Sequence, residues 1–231
     1  IKAQTFPDWE CLVVDDGSSP SVEPAFREVA GDDPRFIFHR FEQNRGIPHG
    51  ANWCYRNAKG EFIQTLGCDE FIAPTKFADQ VAYLDANQKI DLIWGVPGNG
   101  PMGPVPEWEQ YVRGAHNRSR EHWLKCFLML EGVPVGGASA LWRKELFDSI
   151  GYFDHRLTAF SDHEWFCRVI EKHRVCVLPF RWMNEVPGHK SVCTRTPQNA
   201  VKLDNELAYV RDRHLLRPPK SDGLVTLAMP V

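Results

Sequence analysis

Short apolar runs broken by polar turns dominate the first part of the chain. Cys11 to Val14 and Phe36-Ile37-Phe38 are rich in β-formers, and each runs into polar residues, which marks two strands. Val22 to Val29 and Gly50 to Ala58 carry helical patterns. Glu61 to Leu66 then predicts a strand, Thr75 to Asn87 a helix and Ile90 to Trp94 another strand. Strands alternating with helices of this length build βαβ units. The expected fold is therefore α/β, a mostly parallel central sheet flanked by helices. Such sheets bind ligands in the crevice beyond the carboxyl ends of their strands.

Gly95 to Pro106 is rich in Gly and Pro and reads as a loop. Its Gly98, Gly100 and Gly103 have the spacing of a dinucleotide-binding turn, but Pro101 and Pro104 block the helix that such a turn must open. Trp123, Phe127 and Leu130 fall on one face of a helix over Ser119 to Leu130. Gly136 to Trp142 predicts a buried strand, Lys144 to Ile150 a short helix and Val175 to Pro179 a strand. Ser161 to Lys172 reads as a helix capped by Ser161 or Asp162. Pro197 to Leu216 reads as a long helix with Pro at its start. One domain over 1–216, a linker over 217–223 and a last strand over 224–231 complete the expected organisation.

Composition narrows the class. The 231 residues are 43 % hydrophobic and 25 % charged, as in soluble globular chains. Lys and Arg number 27 against 30 Asp and Glu, so the basic surplus of a phosphate-backbone binder is missing and nucleic acid is not an expected partner. Apolar runs such as Cys126 to Leu130 fall far short of the roughly 18 residues that span a bilayer. Seven cysteines without a CxxC pair speak against a disulfide framework or a zinc site. The expected setting is the cytoplasm, with a peripheral place on the inner membrane face as a variant of it.

Chemistry concentrates in three acidic clusters: Val13-Val14-Asp15-Asp16-Gly17-Ser18, Gly67-Cys68-Asp69-Glu70, and Ser161-Asp162-His163-Glu164-Trp165. Carboxylates at strand ends serve as turn formers and helix caps, but they also hold hard divalent cations. One of them can instead take a proton from an attacking hydroxyl.

The stretch Gln4-Thr5-Phe6-Pro7-Asp8-Trp9-Glu10 leading into Val13-Val14-Asp15-Asp16-Gly17-Ser18 resembles the opening signature of family 2 glycosyltransferases with the GT-A fold. Asn44-Arg45-Gly46-Ile47, Asn52 and Ala58-Lys59-Gly60-Glu61-Phe62-Ile63 resemble the segments before that family's metal motif. Arg143 to Phe147 with Ile150 to Asp154 resembles the approach to its catalytic base, and Asp162 falls where that base lies. The resemblance covers about residues 2 to 180. It implies inverting transfer of a sugar from a nucleotide-sugar donor, UDP-linked before others, to a saccharide or lipid-linked acceptor in polysaccharide or glycoconjugate synthesis. By the same resemblance Asp162 is the general base, Asp15, Asp16 and Asn52 contact the donor, and Asp69 with Glu70 holds the donor or a Mn or Mg ion.

Two departures qualify that implication. The metal motif of the family reads Asp-any-Asp, and Gly67 takes its first place here. Glu70 or His189 then supplies a further ligand, or the metal is held through the donor diphosphate. Ala51 stands where many relatives carry Arg, leaving Arg45 or His49 to replace it. His163 is expected on the helix surface, and Glu164 behind the base or on the surface. Pro101 to Trp123, with Trp108, Tyr111, Arg113 and His116, has an aromatic and polar mix suited to an acceptor site or to a packing segment. A non-catalytic nucleotide-sugar or glycan-binding module is the competing expectation, and a Rossmann-type oxidoreductase a third. Leu224 to Val231 resembles the family's opening strand and is expected to pair in parallel with residues 11–15, unless it begins a second, tandem domain.

Overall fold

The computed structural model describes residues 1–96, 100–106, 119–129, 137–185 and 196–215. Its strands are β1 (Cys11–Asp15), β2 (Phe36–Arg40), β3 (Phe62–Ile63), β4 (Glu70–Ile72), β5 (Leu92–Gly95), β6 (Gly103–Pro104), β7 (Ala140–Arg143), β8 (Val175–Leu178), β9 (Phe180–Arg181) and β10 (Met183–Glu185). Its helices are α1 (Glu23–Ala30), α2 (Ile47–Asn57), α3 (Lys76–Ala86), α4 (Arg120–Met129), α5 (Leu146–Ile150), α6 (Ser161–Lys172) and α7 (Ala200–Leu215).

β1, α1 and β2 form the first βαβ unit, with Cys11 opposite Phe36 and Asp15 opposite Arg40 in a parallel pair. The second sheet has the order β3-β7-β5-β8. β5 and β8 are parallel, as the alternation of strands and helices predicts, whereas β7 enters antiparallel to both β3 and β5. Every residue of β5, β7 and β8 is buried, so the apolar run that marks β7 carries no information about its direction. Two short antiparallel pairs, β4 with β10 and β6 with β9, complete the described strands.

The core lies between the second sheet and α4 and α6. Trp165, Phe166, Val169 and Ile170 form the buried stripe of α6, and Trp165 stacks at a tilt on Trp142 of β7 with ring centroids 5.2 Å apart. Trp94 meets Phe166 edge-on at 5.3 Å. Fully burying an apolar side chain such as Phe or Ile contributes about 1.5–3 kcal/mol. This stripe therefore anchors α6, and with it Asp162, to the sheet. No described helix is long and apolar enough to cross a membrane.

Candidate active site

At the end of β1 the two adjacent aspartates do different things. Asp15 is 2 % exposed and accepts the Ser18 amide at 2.8 Å, the Ser21 hydroxyl at 3.1 Å and the Val22 amide at 3.3 Å. Arg40, its neighbour across the β1–β2 pair, donates to it as well. Burial opposes its ionisation, but the bonds from Ser18, Val22 and Ser21 outweigh it and hold the carboxyl well below the usual range. Asp15 thus builds the 16–22 turn and has little left for a donor. Asp16 is half-buried and receives the amides of Arg45 and Gly46 at 2.8 Å each, just ahead of α2. Between the turn and this loop Gly17 is required: its φ is +76°, and a Cβ there would stand 2.5 Å from the carbonyl carbon of Gln43.

A second group of carboxylates follows β3. Both flank Gly67, where an added Cβ would stand 2.7 Å from Asp69 Oδ1 and 2.9 Å from Glu70 Oε2. Glu70 Oε2 also accepts the Gly67 amide at 2.5 Å. Two hard oxygen donors over one glycine suit Mg or Mn, although the described residues hold no cluster of three or more such ligands. Behind this loop Lys76 is fully buried. Its ammonium donates to the side-chain oxygens of Gln64 and Gln80 and to the Ala140 carbonyl. Gln64 and Gln80 in turn donate to the Ala138 carbonyl at 2.9 Å and the Ser139 carbonyl at 3.0 Å. Three successive carbonyls, 138 to 140, are thereby fixed from the residue after β3 and from α3. Burial pushes the pKa of Lys76 well below its ordinary value, and the nearby Glu70 pulls it back up.

Asp162 stands at the start of α6, half-buried, beside that fixed segment. Its Oδ1 accepts the His163 amide at 2.7 Å, and its Oδ2 turns to Gly137, where an added Cβ would stand 4.0 Å away. Burial raises its pKa, with the His163 side chain and amide opposing. Tyr55 of α2 bridges to the loop after β3: its hydroxyl lies 2.8 Å from Thr65 Oγ1. Its pKa is pushed up, first by burial and further by the Asp162 charge. Gln64 ties the start of the 64–70 loop to the segment that follows Gly137, the residue Asp162 Oδ2 faces.

Several expectations change in three dimensions. Asn52 is 5 % exposed, and its side-chain amide is engaged with Phe153, donating to the carbonyl at 2.8 Å and accepting the amide at 3.0 Å. Neither Ser161 nor Asp162 caps α6, since Phe160 occupies the cap position and no side-chain cap bond forms there. His163 is half-buried rather than on the surface and donates to the Phe127 carbonyl of α4. Glu164 is fully buried in an ion cluster with Arg168 at 2.8 Å and Arg213 at 3.1 Å. Its pKa falls: burial opposes this, but His214 and the two arginines outweigh it. The last helix begins at Ala200, so Pro197 lies in the turn before it. Arg45 rests over the Phe41 ring at 4.7 Å, and His49 packs on His155 at 5.1 Å. His189, Gly98, residues 107–118 and the strand expected at 224–231 lie outside the described residues, and so does the pairing expected for that strand.

Sequence reasoning passed over Lys76, Gln64, Gln80, Tyr55 and Glu206. Lys76 and Gln80 stand at i and i+4 on α3, where a helical wheel places them together, but nothing local tells a buried lysine from a solvated one.

Comparison with known proteins gives the family and the fold. The profile of "Glycosyl transferase family 2" matches residues 1–150. An uncharacterised glycosyltransferase of Methanocaldococcus jannaschii is 30 % identical over 175 residues, covering 74 % of this chain and 57 % of that protein. The bifunctional glycosyltransferase pgtA of Dictyostelium discoideum is 31 % identical over 97 residues, 40 % of this chain and 13 % of its own. Among solved structures, S. aureus TarS 1–349 in complex with UDP-GlcNAc superposes with a TM-score of 0.67 at 18 % identity, covering 93 % of this chain and 61 % of that one. The mannosyltransferase PcManGT from Pyrobaculum calidifontis, in complex with GDP-Man and Mn2+, gives 0.63 at 17 % identity, covering 91 % and 63 %. The chain spans less than two thirds of the length of each of these proteins. At such identities the structural matches establish the GT-A fold.

Proposed function

This chain belongs to glycosyl transferase family 2, and on that premise we propose that it transfers a sugar from a nucleoside-diphosphate donor to an acceptor hydroxyl with inversion. The observation that carries the reading is Asp162: a carboxyl with one oxygen anchored, the other turned to a glycine, and its basicity raised by burial. Asp162 takes the proton of the acceptor hydroxyl while that oxygen bonds to the anomeric carbon. The bond from that carbon to the diphosphate breaks, and the nucleoside diphosphate leaves with the electron pair. In-line attack of this kind inverts the anomeric centre.

Asp16, ahead of α2, faces the nucleoside side of the donor, and Asp15 holds the turn that presents it. Asp69 and Glu70 take the diphosphate side, where they would hold Mn or Mg. When bound, that ion supplies positive charge against the departing diphosphate. The donor we assign is a UDP-sugar, supported by the TarS match, and the acceptor is a saccharide or a lipid-linked glycan of a polysaccharide or glycoconjugate pathway. Gly67 favours a second reading, a nucleotide-sugar-binding module without turnover.

Nucleotide release from UDP-GlcNAc, UDP-glucose, UDP-galactose and GDP-mannose, with and without Mn, tests both. Turnover with one donor supports the transferase, and binding without turnover selects the module. Asp162→Asn should lower turnover by about 10² to 10⁴ while donor binding persists, the range that general-base catalysis supplies. Undiminished turnover in that variant removes Asp162 from the mechanism.

A further inference from the structure

Helix α6 begins with no cap from its own first turn, yet the amides leading into it are not left to water. Glu206, on α7, accepts the Thr158 amide at 3.0 Å on each of its oxygens, the Ala159 amide at 2.9 Å and the Phe160 amide at 3.3 Å. The Thr158 hydroxyl adds a fourth donor at 2.6 Å. The carboxylate belongs to a residue only 7 % exposed. Three consecutive backbone amides on one carboxylate fix the rotation of the chain as it enters α6. Asp162 follows two residues after the last of them, so that rotation sets where its carboxyl points.

We propose that Glu206 is a positioning residue that caps α6 from another helix and so orients Asp162 toward the acceptor hydroxyl. The inference rests on the reading of Asp162 as general base. Two physical effects follow from the contact. The first is geometric, since misplacing a reacting group by about 1 Å can cost on the order of 10²-fold in rate. The second is electrostatic. Amides at a helix N-terminus carry partial positive charge, which stabilises a carboxylate nearby and weakens it as a base. A full negative charge on the amides just ahead of the helix, those of residues 158 to 160, offsets that pull. The charged side chains around the junction are Glu164, Arg168, Arg213, His214, Glu171 and, facing Asp162 itself, His163.

The test uses the full chain and the panel donor that turns over. Glu206→Gln keeps the size but loses the charge and turns an N–H group toward the amides. It should lower kcat about tenfold to a hundredfold, leave UDP binding by calorimetry unchanged, and move the acidic limb of the kcat/KM profile to lower pH. In an Asp162→Asn background it should cost nothing further, because its effect passes through Asp162. Glu206→Asp keeps the charge with a shorter reach, so kcat should fall while the acidic limb stays in place. That variant carries the test if Glu206→Gln does not fold. Wild-type kcat and pH profile in a folded Glu206→Gln, wild-type kcat in Glu206→Asp, or losses that multiply in the double variant would each overturn the inference. Turnover surviving Asp162→Asn would instead remove the base assignment itself. An inert Asp162→Asn beside a fully active Glu206→Gln would sink only the capping role.

Discussion

Individual carboxylates in this protein are sorted by what already occupies their lone pairs. Asp15, Glu164 and Glu206 are saturated by amides, hydroxyls or guanidinium groups, and the bonds they accept hold their pKa values down. Asp162 is half-buried with less compensation, and burial raises its pKa. That contrast separates structural acids from a candidate base more sharply than residue type does. Asp69 stands apart again, sharing the space over Gly67 with Glu70. Asp69→Ala should weaken UDP binding and abolish any gain from Mn, both measurable by calorimetric titration with and without the ion. Equal affinity in all four conditions would take Asp69 out of the donor site.

At the scale of elements, the junction between α6 and α7 couples stability to pH from both sides. Glu206 lies below the ordinary glutamate value of 4.5: burial raises it, but the Thr158, Ala159 and Phe160 bonds prevail. Glu164 is lowered in the same sense. Their stabilisation is complete above the unfolded value and is lost as pH falls through the folded one. His214 behaves oppositely. Burial lowers its pKa, yet Glu164 and Glu171 raise it above the ordinary 6.5, so its contribution is present below that value and disappears as pH rises through the folded one. The melting temperature should therefore decline toward both ends of a scan between about pH 3 and pH 9. Glu206→Gln should flatten the acid side and leave the alkaline side alone. An acid slope identical in the variant would show that the carboxylate contributes nothing to it.

For the molecule as a whole, donor binding must appear as stability, because a ligand that binds only the folded state shifts the equilibrium by mass action. A nucleoside diphosphate at a hundredfold excess over its Kd adds about 2.7 kcal/mol. For a chain of this size that is a rise of roughly 5 to 11 °C in Tm. UDP should give this shift and adenosine diphosphate should not. A protein whose melting temperature no diphosphate moves, with or without Mn, has no working donor site. Preference for GDP would keep the transferase and change the donor.

Local pattern by itself determined most of the elements. Apolar periodicity, prolines and turn residues act over a few positions, and so the strands at Cys11 and Phe36 and the helices at Lys76 and Ser161 were legible within a residue or two. The resemblance of short motifs was legible too, and with it the family. Tertiary structure alone decided the rest. It set the direction of β7, whose fully buried run reads the same either way. It paired Asn52 with Phe153, 101 residues along the chain, and brought Glu206 to the amides ahead of α6, 46 to 48 residues before it. A polar side chain announces that it needs a partner but not which one. At such separations the partner is chosen by packing of whole elements, and no short window of sequence contains both halves of the bond.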